Sequence, residues 1–252
     1  MLGNRKYYFL IILAFFCFKF KAKAQTYAKE QIAEQIFHHI YNQEFELAKQ
    51  ELNRQDLNIF SREWLRCELL WWENVSINDK NTHVQLEKFL VKKTKISDNS
   101  TEEEKILFLL HKNYSLRLKA MDNKKLSVIN LFLQINGLIK EIDNKSLSPL
   151  EKNFYEIYTA VFAISKNKYK LFSSDDIDKI SIEVLKKHAV SFNRILRTLS
   201  QYFLLKIYLD IKDDYQKAKV YAVQLHEEYP DNQIFIRILT MINNTLSLGE
   251  SE

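Results

Sequence analysis

The stretch Thr101-Glu102-Glu103-Glu104-Lys105-Ile106-Leu107-Phe108-Leu109-Leu110 decides how this chain is read. A threonine followed three residues later by glutamate, just before an apolar run, is a capping box, in which each side chain satisfies a free backbone N–H of the other residue. From there Leu107, Leu110, Tyr114 and Leu118 recur three and four apart, which predicts a helix to about Met121. Asp122-Asn123 breaks the pattern, and Val128, Leu131, Phe132, Ile135 and Leu138 mark an antiparallel partner. The unit is a helical hairpin.

The same grammar continues on both sides. Ser148-Pro149-Leu150-Glu151 combines a serine N-cap, a proline at the first helical position and a glutamate that closes the box, with Phe154, Tyr158, Val161 and Phe162 on one face after it. Further helices are predicted over Asp175 to Lys187, Ser191 to Ile211, Tyr215 to Glu228 and Asn232 to Leu246. Upstream, Ile32, Ile36, Phe37 and Ile40 form one stripe and Phe45, Ala48 and Leu52 a second. A third helix begins after Ser61 as N-cap and carries Trp64, Leu65, Leu69 and Trp72, and a fourth covers His83 to Val91. The sum is about ten or eleven helices with hairpin periods of roughly 34 to 47 residues, an all-α chain of α-α superhelix type. An irregular bundle without a continuous groove is the alternative. No Pro/Gly/Ser-rich linker interrupts the pattern, so residues 25–252 are expected to form a single domain.

Composition narrows the function. Of 252 residues only Gly3, Gly137 and Gly249 are glycine and only Pro149 and Pro230 proline. Turn-rich β folds and every glycine-built phosphate cradle or nucleophile elbow need more. Arg5 and Lys6 precede the apolar run Tyr7 to Phe18, and Ala22-Lys23-Ala24 offers small residues where signal peptidase reads them, so residues 1–24 read as a signal peptide cut before Gln25. That run falls short of the roughly 20 residues that span a bilayer, so no integral membrane segment is expected after cleavage. Phe16 in front of Cys17 argues against a lipid anchor.

The leader carries Arg5, Lys6, Lys19, Lys21 and Lys23 and no acid, which leaves the mature chain with 32 basic and 32 acidic residues. The apparent charge of +5 thus leaves with the leader, and nucleic acid is a poor partner for a neutral exported chain. With Cys17 removed, Cys67 stands alone and no intramolecular disulfide can form. Five Asn-x-Ser/Thr triplets, at Asn74, Asn99, Asn113, Asn144 and Asn243, are what chance gives in a chain rich in asparagine and serine. The cleavage site and the Lys/Asn/Ile bias resemble exported proteins of Gram-negative bacteria, and the expected location is the periplasm.

Catalytic and metal chemistry finds no linear motif. The histidines at 38, 39, 83, 111, 188 and 226 never stand three to five residues apart, as a zinc-binding helix requires. Cys67 sits three residues after Trp64 on an aromatic helix, where a buried thiol is the expectation. The acids Glu102 to Glu104 and Asp175, Asp176 and Asp178 sit at helix starts, where they favour the macrodipole. No catalytic residue, metal or cofactor is therefore expected, and a hydrolase would need side chains converging without a linear motif.

The segment Tyr202 to Pro230 is similar to one tetratricopeptide repeat. Tyr202 is followed by Leu205 and Leu209, the second helix opens Asp214-Tyr215-Gln216-Lys217-Ala218, and Ala218 and Pro230 stand twelve apart. Small Ala218 lets two helices approach closely and Pro230 ends the second. Lys206 and Ala222 depart from that pattern, standing where the family has glycine and an aromatic. Tyr41 to Ala48 with the tryptophan-rich helix after it resembles the opening hairpin of exported bacterial members, and Asn113-Tyr114-Ser115-Leu116-Arg117 their middle hairpin. The resemblance implies a non-enzymatic scaffold that binds a protein or peptide partner. A small-molecule or glycan-binding helical protein is the alternative, favoured by the abundance of aromatic side chains.

Trp64 and Trp71 fall on nearly one helix face while Trp72 is turned by about 100°, so all three are hard to bury in one interhelical seam. Either two fill the core and the third lies at its edge, or an exposed tryptophan beside Arg66 anchors a partner peptide. The candidate partner-binding residues are Arg66, Trp71, Trp72, Tyr114 and Arg117. Tyr202, Leu205, Tyr215, Ala218 and Pro230 are the repeat-motif residues.

Overall fold

The computed structural model describes residues 28–92, 97, 99–168 and 175–249; the expected leader lies outside them. Among the described residues there are eleven helices and no strand, and successive helices pack on one another as in an α-α superhelix. They are α1 (28–41), α2 (Phe45–Arg54), α3 (Ile59–Ile77), α4 (Lys80–Lys92), α5 (Glu102–Met121), α6 (Lys125–Glu141), α7 (Pro149–Lys168), α8 (Asp175–Ala189), α9 (Arg194–Asp210), α10 (Tyr215–Glu228) and α11 (Gln233–Gly249).

Local chemistry sets the ends of these helices. At α5 both halves of the capping box are present: Glu104 N–H donates to the Thr101 hydroxyl and Thr101 N–H to the Glu104 carboxylate. Ser148 and Glu151 exchange the same pair of bonds at α7. The third helix starts earlier than expected. Asn58, not Ser61, is its N-cap, and Ser61 N–H donates to the Asn58 side chain at 2.7 Å. Ser61 is already inside the helix and buried, as is Phe60 ahead of it.

A left-handed residue closes each described turn from an odd-numbered helix to the next even one. Gln43, Asn78, Asn123 and Asp213 have φ of 63°, 53°, 56° and 51° and follow α1, α3, α5 and α9. This conformation ends a helix and is taken most readily by glycine, then by asparagine and aspartate. A chain almost without glycine has put polar residues there instead, at a modest cost in backbone energy.

Two layers result. α3, α5, α7 and α9 pack side by side, and α4, α6, α8 and α10 each cover them from outside. In an open superhelix the inner layer would border a groove. Here the last hairpins return onto the first. Asn232, just before α11, donates to the Tyr41 carbonyl at the end of α1 at 2.6 Å, and Arg194 N–H at the start of α9 donates to Glu34 of α1. Buried residues from Ala33 to Ile242 form one continuous core.

The helix α3 sits at the centre of this closure. Its Trp64 meets Phe37 of α1 and Phe154 of α7, and its Trp72 meets Tyr41 of α1, Tyr202 of α9 and Phe235 of α11. A helix with neighbours on several sides buries more than one face, and α3 does: Trp64, Trp71 and Trp72 are all buried. The expectation that one tryptophan stays exposed is thereby corrected. It assumed a single interhelical seam, whereas the tryptophans of α3 meet rings of α1, α5, α7, α9 and α11.

Candidate functional site

Four of the five candidate partner-binding residues meet around α3, in the interior. The Arg117 guanidinium lies 3.8 Å from the Trp71 ring centre and 5.1 Å from that of Tyr114. Tyr202 and Phe203 of α9 close the same space, and Trp72 stacks obliquely on Tyr202 at 5.4 Å. Trp71, Trp72 and Tyr114 are buried, and Arg117 is partly exposed. Arg66, also partly exposed, has no part in the group.

Beneath Arg117 lies a residue that sequence reasoning passed over. Glu68 of α3 is only 2% exposed, and Tyr114 donates to its Oε1 at 2.5 Å. The Tyr114 hydroxyl is also 3.1 Å from that of Tyr158 on α7. Burial pushes the Glu68 carboxyl up to about 7, against the opposing pull of the Tyr114 hydrogen bond, the Arg117 charge and the Trp72 indole. Desolvation wins because the surroundings are aromatic rings rather than a dense set of donors. A signal did exist in the chain: Trp64, Glu68 and Trp72 stand four apart, which puts the acid on the same stripe as two large core residues.

Two further titratable groups lie buried in the core. Cys67 is buried, and burial raises its thiol well above the usual range, so it stays protonated. His188 is buried and its Nε2 lies 3.0 Å from Glu156. Among the described residues no three His, Cys, Asp or Glu side chains form a group fit for a metal ion. Among them, too, no helix is long and apolar enough to cross a membrane.

The repeat-motif residues form the α9–α10 hairpin. Leu205 and Ala218 are fully buried between its helices, Tyr202 points into the centre, Tyr215 is partly exposed and Pro230 sits exposed in the turn after α10. Ala222 is fully buried as well, so close helix approach takes the place of an aromatic there.

A second feature lies where the N-terminal ends of the inner helices converge. Phe60 at the start of α3, Leu150 and Phe154 at the start of α7, Asn193 and Ile195 around the start of α9, and Glu30 of α1 line a narrow crevice. Exposed apolar residues precede two of these positions in the chain, Ile59 before Phe60 and Val190 and Phe192 before Asn193. Phe192 is fully exposed, Val190 is 80% exposed and Ile59 69%.

Comparison of the chain with protein-family models, with curated proteins and with solved structures finds no match in any of the three.

Proposed function

We propose that this chain is a non-enzymatic binding or assembly factor of the cell envelope, exported after cleavage before Gln25 and built from tetratricopeptide-like hairpins. It docks an apolar protein segment on an end surface rather than in a groove. The observation that carries the reading is the full exposure of Phe192 beside the crevice, with Val190 and Ile59 near it. Soluble chains rarely leave several large apolar side chains together in water without a partner. The space where an open superhelix would take a peptide is filled by the chain's own aromatic rings.

A photoreactive amino acid at position 192 tests this in living cells, with one at exposed Val220 of α10 as the control. The expected result is a discrete adduct from position 192 that weakens when Ile59→Asp is added, and none from position 220. Equal labelling from both positions, or none from a folded 192 variant, overturns the reading. A small-molecule ligand is the second reading, and one feature favours it: the Arg117 side chain in its aromatic surround.

A further inference from the structure

Among the outer helices α6 stands apart. α4, α8 and α10 each have two helices as close neighbours, whereas α6 has α5 alone among the described helices and reaches α7 through side chains such as Phe132 on Phe162. α4, α8 and α10 also carry charged residues along their length. From Leu126 to Ile139, α6 has none. Val128, Phe132, Ile135 and Leu138 are buried on one side, yet the opposite side is apolar as well: Leu126 is 85% exposed, Leu133 68% and Ile129 43%. A helix that is apolar on both sides has the composition of an interior one, and an exposed apolar row of this kind marks an interaction surface.

The shape and charge of this row select a second copy of itself. Leu126, Ile129, Leu133 and Gly137 are spaced three and four apart and so share one face of the helix. The row is bulky at its start and empty at its end, since no atom stands within 4 Å of the place a Cβ on Gly137 would take. In an antiparallel pair with its twofold axis near position 131, Ile129 lies against the partner's Leu133 and Leu126 comes over the partner's Gly137. Each contact occurs twice, as a closed twofold interface requires. Lys125 then stands about one helical turn from the partner's Glu141, and Lys140 is level with the partner's Asp122, so both rims join opposite charges around an uncharged centre. A lipid surface fits less well. Helices that lie on lipid carry cationic residues beside their apolar face, and here the uncharged Gln134 and Asn130 stand there, bonded to each other at 3.2 Å.

We propose that the outer face of α6, formed by Leu126, Ile129, Leu133 and Gly137, is the interface of an antiparallel homodimer. It shares no residue with the docking surface at Phe192 and stands or falls separately from it.

Sedimentation velocity of the full mature chain over a range of concentrations tests this. The expected result is a reversible dimer with a Kd on the order of 10 μM, as befits an interface built on a single helix. Leu133→Lys places a charge in the centre of the interface and is expected to weaken it about tenfold or more. Gly137→Leu leaves the monomer folded, because its side chain enters open space, but it blocks the partner's Leu126 and weakens the dimer too. Adding Leu126→Ala to Gly137→Leu is expected to restore association. Asn130→Cys, beside the axis, is expected to give a disulfide-linked dimer on mild oxidation, whereas Glu141→Cys, about 30 Å from its own copy, is not. Cys67 is buried and does not compete. A chain still monomeric at about twenty times the expected Kd, a dimer unaffected by Leu133→Lys, or equal cross-linking from positions 130 and 141 overturns the proposal. Binding to phosphatidylglycerol vesicles that Leu133→Lys abolishes, without a dimer in solution, assigns the face to a lipid surface and overturns it as well.

Discussion

The Asn232 side-chain amide donates to the Tyr41 carbonyl at 2.6 Å, joining residues 191 positions apart in the chain. Its Oδ1 meanwhile accepts from the N–H groups of Ile234 and Phe235, which caps α11, and from the Gln43 side chain. One fully buried asparagine therefore both starts the last helix and ties it to the end of the first. Around it Tyr41, Tyr229 and Phe235 pack ring against ring.

Asn232→Ala is expected to destabilise the protein by about 2–4 kcal/mol, since it removes a cap and leaves a buried carbonyl without its donor. Asn232→Asp keeps the cap acceptor but not the donor, and it also brings a charge into a buried site. Urea denaturation followed by circular dichroism measures both. A loss under about 0.5 kcal/mol for Asn232→Ala, the range of an ordinary surface change, would show that the ring closure does not rest on this residue.

Glu68 makes stability depend on pH in an unusual direction. Its folded-state pKa, about 7, lies above its ordinary value of 4.5, so the folded chain holds this proton more tightly than the unfolded chain does. The associated stability is complete below pH 4.5 and is lost as pH rises through 7, on the order of 3 kcal/mol in all. Glu68→Gln keeps an acceptor for Tyr114 and removes the titration. The variant is expected to be the more stable protein at pH 8 and to lose this part of the pH dependence, as melting temperatures from pH 5 to 8 would reveal. Parallel curves for the two proteins would contradict the assignment.

Trp64→Ala and Trp72→Ala should weaken folding to a similar degree, about 3–5 kcal/mol each, because both side chains are buried among aromatic rings. Thermal melts compare them directly. A Trp72→Ala protein as stable as the unaltered chain would restore the exposed-anchor reading of that tryptophan.

Ala218→Leu is expected to cost about 1–3 kcal/mol through overpacking, since Ala218 of α10 is fully buried and α10 packs on α9. Phe192→Ser, in contrast, should change stability by no more than about 0.5 kcal/mol, as for any side chain with nothing folded against it. Chemical denaturation of the pair separates what the fold needs from what its surface offers. A large loss with Phe192→Ser would mean that the residue is part of the core and not of a docking surface.

What the sequence determined by itself were the features written in neighbouring residues. The capping boxes at Thr101 and Ser148, the break at Asp122-Asn123 and the span Tyr215–Glu228 were all legible, because a helix end is fixed by hydrogen bonds to backbone groups three or four residues away. The start of α3 was misplaced for a related reason: Asn58 and Ser61 are both good caps, and only the packing of Phe60 inside the same helix chose between them. Tertiary structure alone decided which faces of a helix are covered. Periodicity marks an apolar stripe but not how many neighbours lie beyond it, so burial of all three tryptophans on α3 had no local sign. The same holds for Glu68 and Arg117. Their environment is assembled from α3, α5, α7 and α9, elements brought together by the closure of the chain at Tyr41 and Asn232, and the electrostatic character of a side chain depends on those distant partners rather than on the residues beside it.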